Sequence, residues 1–197
     1  MFNSIRDGAA VYYFKYYIVE ENFETVSLFG VSFVLSGLFL ALGQMANIVG
    51  VVLAAPVSNR FGKKQTFAFS MLMTAVLSIV FYWFDKDDIV LIFVFQCIIS
   101  MFAGSIFPLL WSMYADCADY SELNTGNRAT GLIFSASSMS QKFGWAIGTA
   151  LTGWLLSYFG FEANAVQSAE TIDGIKMFLS WLPAAASVVS VIFILWL

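Results

Sequence analysis

No charged residue falls between Asp88 and Asp116, and the stretch that separates them, IVLIFVFQCIISMFAGSIFPLLWSMYA, is apolar over most of its length. A helix crosses the ~30 Å hydrocarbon core of a bilayer with about 20 mainly apolar residues, so this run is long enough to span. Similar runs, separated by charged or polar connections, predict spans at 3–19, 28–57, 66–84, 89–115, 129–159 and 175–197. The 28–57 and 129–159 runs exceed what an untilted helix needs, so tilt or extension beyond the hydrocarbon is expected there. The expected class is an all-α membrane protein of six transmembrane helices. Composition agrees: charged residues are 11% of the chain, against about 25% in an average soluble domain.

Basic connections are retained on the cytoplasmic side of a membrane. The 58–65 segment, SNRFGKKQ, carries Arg60, Lys63 and Lys64 without an acid, and the 116–128 segment carries Arg128. In the alternating connections at 20–25, 85–88 and 161–174, Lys86 is the one basic residue. This pattern predicts a multi-pass protein of the plasma (inner) membrane with both termini cytoplasmic and the acidic connections outside. The net charge of −4 argues against nucleic acid as a partner, although in a membrane protein the placement of each charge matters more than the sum. Membrane lipids are the expected surroundings. The N-terminus, MFNSIRDGAAVYYFKYY, has no signal-peptide pattern, so no cleavage is expected.

The chain contains no histidine, which removes the commonest general base and metal ligand at neutral pH. Cys97 and Cys117 lie in or at the end of one apolar run and form neither a disulfide framework nor a metal-ligand cluster. No enzyme activity, metal or cofactor is expected.

Intramembrane charge carries most of the functional information, because it is costly and is kept where it serves a purpose. Arg6 and Asp7 sit in the first predicted span, either as a pair lining a cavity or as a snorkelling pair near the cytoplasmic surface; a helix cut short is the third reading. Lys142 lies near the middle of the fifth span, where an ammonium costs about 2.5–3.5 kcal/mol on insertion scales. Ser135 and Ser138 precede it by seven and four residues and share its helical face, which Gly131 continues. This face suits a water-filled cavity where Lys142 binds a substrate or exchanges charge with a coupling ion; the alternative is a structural ion pair. Gly144, Gly148, Thr149, Thr152 and Gly153, like Gly43, Asn47, Gly50 and Ala54 in the second span, read as close helix packing, and Gln44 and Asn47 as interhelical hydrogen-bonding amides.

In the fourth span Gln96, Ser100, Gly104, Pro108 and Trp111 recur at intervals of four and three, a polar stripe that reads as a cavity wall. Trp111 can stack on a sugar ring or anchor the helix at the interface. Beyond it, Asp116 and Asp119 share one face at the C-terminal end of that helix, where the dipole disfavours carboxylates and calls for a nearby cation. Arg128, Arg60, Lys63 and Lys64 are all on the same side, and Arg128 is the first candidate partner of Asp119. The arrangement predicts a cytoplasmic ion-pair gate, with a solvated charged loop as the alternative.

At these residues a resemblance becomes specific. PLLWSMYADCADYSE followed by TGNRATGLIFSASSMSQKFGWAIG resembles the tenth and eleventh helix region of the glycoside, pentoside and hexuronide cation symporters, the melibiose permease-like branch of the major facilitator superfamily. NRFGKK is similar to that superfamily's basic loop, and IRDGAAVYYFKYY to this branch's seventh helix. The resemblance implies a twelve-helix fold of two six-helix bundles, of which residues 1–197 supply the C-terminal one, with the N-terminal bundle absent from the chain and expected as its partner. It also implies a small-molecule sugar or glycoside as substrate and Na+, H+ or Li+ as coupling cation. Lys142 matches the family's eleventh-helix lysine, implicated near the cation site, and Trp111 occupies the aromatic position before the paired aspartates. Ser137 and Ser138 fall where sugar-binding permeases carry an amide and a hydroxyl, so Ser137 departs from the pattern and leaves the sugar unspecified.

The reading that follows is secondary active transport of a sugar or glycoside coupled to Na+ or H+ by alternating access, with this chain supplying half of the central cavity. The alternatives are half of a lysolipid:cation symporter and a truncated, non-transporting membrane interaction module.

Overall fold

The computed structural model describes residues 2–18, 25–28 and 31–196. Helix α1 (Phe2–Tyr13) runs into a π-helical turn (Phe14–Ile18), and strands β1 (Thr25–Leu28) and β2 (Val31–Val34) lead into α2 (Leu35–Phe61). Then follow α3 (Lys63–Val80) with a 3-10 turn (Phe81–Trp83), α4 (Ile89–Thr125), α5 (Thr130–Tyr158), α6 (Ala169–Leu179) and α7 (Trp181–Trp196). Among the described residues, four stretches are long and apolar enough to cross a membrane: 35–61, 63–83, 89–125 and the α6–α7 pair at 169–196. The chain is therefore an integral, multi-pass membrane protein. Of the other two predicted spans, α1 has 12 helical residues before its π-helical turn, and α5 has the length, at 29 residues, but carries the serine- and lysine-bearing face.

Three predicted spans change. The 28–57 helix begins instead at Leu35, because β1 and β2 pair antiparallel with Thr25 opposite Val34 and Leu28 opposite Val31. Thr25, Val26, Val31 and Val34 are β-branched, and such residues are stiff at χ1 and suit a pleated strand. Helix α4 continues ten residues past Ala115 and ends where Gly126 adopts a left-handed conformation (φ 71°) with its N–H on the Glu122 carbonyl. The 116–128 connection therefore shrinks to a few residues, and the paired aspartates ride on helix. The last span is broken at Ser180, since Pro183 has no N–H to offer the Leu179 carbonyl four residues back and its ring crowds that carbonyl. The predicted 20–25 connection lies almost wholly outside the described residues.

Packing follows the small residues. Helix α2 lies most extensively against α4, and α3 against α7 and α4, while α1 touches α5, α6 and α7. A methyl added at Gly50 would stand 1.9 Å from the Met101 carbonyl oxygen, and one at Gly104 2.3 Å from that of Asn47. The two helices thus approach backbone to backbone, which only glycine permits here. The larger core cluster centres on Tyr13, Phe14, Phe39, Phe81 and Phe178, near the 84–88 connection; a smaller one of Ala54, Phe67, Met71, Ala103, Ile106 and Leu109 lies toward 58–65.

Candidate substrate face and charge pairs

Helix α5 is held at one end. Gly148, Thr152 and Leu156 are its buried residues, and Ser4 of α1 joins it there through the Thr149 hydroxyl (2.9 Å) and the Trp145 carbonyl (3.1 Å). Gly153 of the small-residue set has open space around it. Toward Thr130 the helix turns largely outward, and Lys142 is exposed there without a hydrogen bond or ion pair among the described residues. Ser135, Ser137 and Ser138 donate to the carbonyls of Leu132 (3.0 Å), Ile133 (2.7 Å) and Phe134 (2.8 Å) on their own helix. Their hydroxyl protons are engaged while oxygen lone pairs remain for an outside donor. Trp111 stacks on Phe134 with ring centroids 5.6 Å apart and planes inclined by 25°, so α4 places an indole, 37% exposed, beside the serine turn.

At the 58–65 end the acids of α4 are divided between two cations. Lys63 Nζ lies 2.7 Å from Asp116, and Arg128 lies 2.6 Å from Asp119 with Glu122 at 3.6 Å. Arg128, the first candidate for Asp119 in the sequence, reaches Asp119 and also Glu122, while Asp116 turns to Lys63 of α3, another of the candidate cations on that side. All these groups are more than a third exposed, so each pair is worth at most about 1 kcal/mol in stability. Such pairs can part and re-form at small cost.

The polar stripe on α4 divides. Gln96 is buried, and Gly104 sits against the α2 backbone, so this half is packing rather than cavity wall; Trp111 remains open. Gln44 is exposed rather than buried. The largest departure concerns Arg6. It is 2% exposed and lies among Phe81, Gln96 and Leu179, at the opposite end from the 58–65 connection. Its Nε and Nη2 donate to Gln96 Oε1 at 3.0 and 2.8 Å, Nη1 donates to the Leu179 carbonyl, and the guanidinium stacks 4.8 Å from the Phe81 ring centroid. Both snorkelling at the cytoplasmic surface and an arginine lining a cavity are thereby replaced by a buried helix-joining cation. The signal for it in the sequence is Pro183, which frees a carbonyl that needs a donor.

The sequence profile of the family described as MFS/sugar transport protein matches residues 3–197. The chain belongs to that family. Among its relatives are a putative glycoside/cation symporter of Escherichia coli, YagG, 29% identical over 92% of this chain and 37% of its own length, and a glucuronide carrier protein homolog of the same species, 35% identical over 80% and 36%. An isoprimeverose transporter of Lactiplantibacillus pentosus is 35% identical over 90% and 35%. These are transporters rather than enzymes, and they place the chain in the glycoside, pentoside and hexuronide cation symporter branch of the major facilitator superfamily. It spans about a third of the length of these relatives. No solved structure matches it at a significant level.

Proposed function

We propose that this chain forms the second six-helix bundle of a twelve-helix symporter that moves a sugar or glycoside with Na+ or H+ across the inner membrane, both termini cytoplasmic. The relatives named for glycosides, a glucuronide and isoprimeverose support the substrate class. The observation that carries the reading is Lys142: an exposed ammonium on a helix of a membrane protein, with no counter-charge among the described residues of its own chain. A lysine kept at such cost implies a partner that comes and goes, either the substrate or the coupling site of the first bundle. In this scheme Trp111 stacks on the apolar face of the sugar, and Ser135, Ser137 and Ser138 accept from its hydroxyls. The Lys63–Asp116 and Arg128–Asp119 pairs hold the cytoplasmic side closed and part as the helices rock.

The test is Lys142→Met in a complete two-bundle protein, reading uptake against a gradient alongside the amount of folded protein. The variant should insert and fold but lose ion-coupled accumulation. Normal accumulation would remove Lys142 from the mechanism, and loss of folded protein would make it a structural residue whose partner is left unpaired.

A further inference from the structure

A cavity of about 410 Å³ opens between α2, α3 and α4, lined chiefly by Leu53, Val57, Phe61, Phe69, Met101 and Phe102. The few hydroxyls in its wall already have partners. Ser105 donates to the Ser70 hydroxyl (2.9 Å) and the Phe102 carbonyl (2.7 Å), and Thr66 donates to the Gly62 carbonyl (2.8 Å). Such a surface offers little to water or a sugar and suits a hydrocarbon chain. Phe61, Phe69 and Leu53 are 58%, 56% and 44% exposed, so the cavity opens onto the outside of the helices.

Its end toward the 58–65 connection is basic. Arg60 and Lys64 adjoin the lining residues Phe61 and Gln65 in sequence, and neither has a carboxylate partner among the described residues, whereas Lys63 is neutralised by Asp116. Helix α3 also starts there, and no side chain caps its first turn, leaving backbone N–H donors free for an acceptor. An apolar slot beneath two unpaired cations and a bare helix start has the polarity of one lipid.

We propose that this cavity holds one acyl chain of an anionic diacyl phospholipid, with the lipid phosphate against Arg60, Lys64 and the first turn of α3. A basic pocket between membrane helices on the side of the basic connections is where anionic headgroups bind.

The experiment takes the full chain in mixed micelles containing equal dioleoyl phosphatidylglycerol and dioleoyl phosphatidylcholine and counts retained lipids by native mass spectrometry. Crosslinking by phosphatidylglycerol with a diazirine near its chain terminus is mapped by peptide. Wild type should retain phosphatidylglycerol in preference by about thirtyfold, as two surface cations at ~1 kcal/mol each imply, and should crosslink within 50–70 and 101–105. Arg60→Gln with Lys64→Gln, both exposed, should abolish the preference. Leu53→Trp at the mouth, or Val57→Phe if that variant is not folded by circular dichroism, should reduce retention of both lipids and the crosslink. Equal retention of the two lipids by wild type, a preference unchanged in the charge variant, or crosslinks elsewhere would overturn the proposal. So would a dimer of the wild-type chain that Leu53→Trp dissociates, since the occupant would then be a second copy.

Discussion

Arg6 Nη1 donates to the carbonyl oxygen of Leu179 at 2.5 Å, the oxygen that Pro183 deprives of its helical donor. Two defects, each costly alone, answer each other. A buried guanidinium needs acceptors, and a broken helix has a carbonyl to spare. Gln96 accepts from the remaining edge of the guanidinium, so one side chain on α1 joins α4 to the α6–α7 break.

Replacing Arg6 by Met should therefore destabilise the chain by about 3 kcal/mol or more, since hydrogen bonds to a charged group are worth ~1.5–3 kcal/mol each. Pro183→Ala restores an N–H four residues after Leu179 and should recover about 1 kcal/mol in the Arg6→Met background, with a smaller gain in the presence of Arg6. Reversible unfolding of the solubilised chain, followed by circular dichroism, measures both. An identical effect of Pro183→Ala in the two backgrounds would separate the residues.

Gly50→Ala and Gly104→Ala should each cost at least ~2 kcal/mol, because the added methyl meets a backbone carbonyl that cannot rotate away. Gly131→Ala and Gly153→Ala, where the same methyl meets nothing within 4 Å, serve as controls. The yield of folded protein is the readout. A loss at Gly153 equal to that at Gly50 would contradict the packing.

Charge reversal at Asp116 or Asp119 should slow transport in a complete two-bundle protein while leaving folded protein within ~1 kcal/mol of wild type, as expected for exposed pairs. Lys63→Asp should partly rescue Asp116→Lys, and Arg128→Asp should partly rescue Asp119→Arg. If each single reversal transports like wild type, the pairs are solvated surface and no gate.

A cysteine at Ser58, in a chain whose Cys97 and Cys117 are replaced by serine, should react with a membrane-impermeant maleimide only after the cells are opened. The basic residues of the 58–65 connection predict this. Labelling of intact cells would invert the topology.

Some of this architecture is legible in the sequence for a plain reason: charged residues bracket apolar runs, so the predicted limits of α5 match within a residue and α3 begins three residues early. Hydropathy does not register hydrogen bonding, and this is where it falls short. The break at Ser180 depends on a missing N–H, and the strands before α2 depend on β-branched residues that are as apolar as helix formers. Among the candidate site residues, Arg128 and Asp119 are nine positions apart around Gly126, and their proximity is readable. The choice of Lys63 over its neighbours Arg60 and Lys64 for Asp116, 53 positions away, depends on how α3 lies beside α4. Arg6 and Leu179, separated by 173 positions, meet through a backbone carbonyl whose one mark in the sequence is Pro183, four positions on.

Helix α4 is a lever with unequal arms. Its close backbone approach to α2 ends at Gly104, which sets the fulcrum for the longer arm. At 1.5 Å per residue, Gln96 stands ~12 Å from that fulcrum and Asp119 ~22 Å on the other side. A tilt that carries Gln96 by 1 Å with the Arg6 node would displace Asp119 by about 2 Å, enough to break a 2.6 Å contact with Arg128.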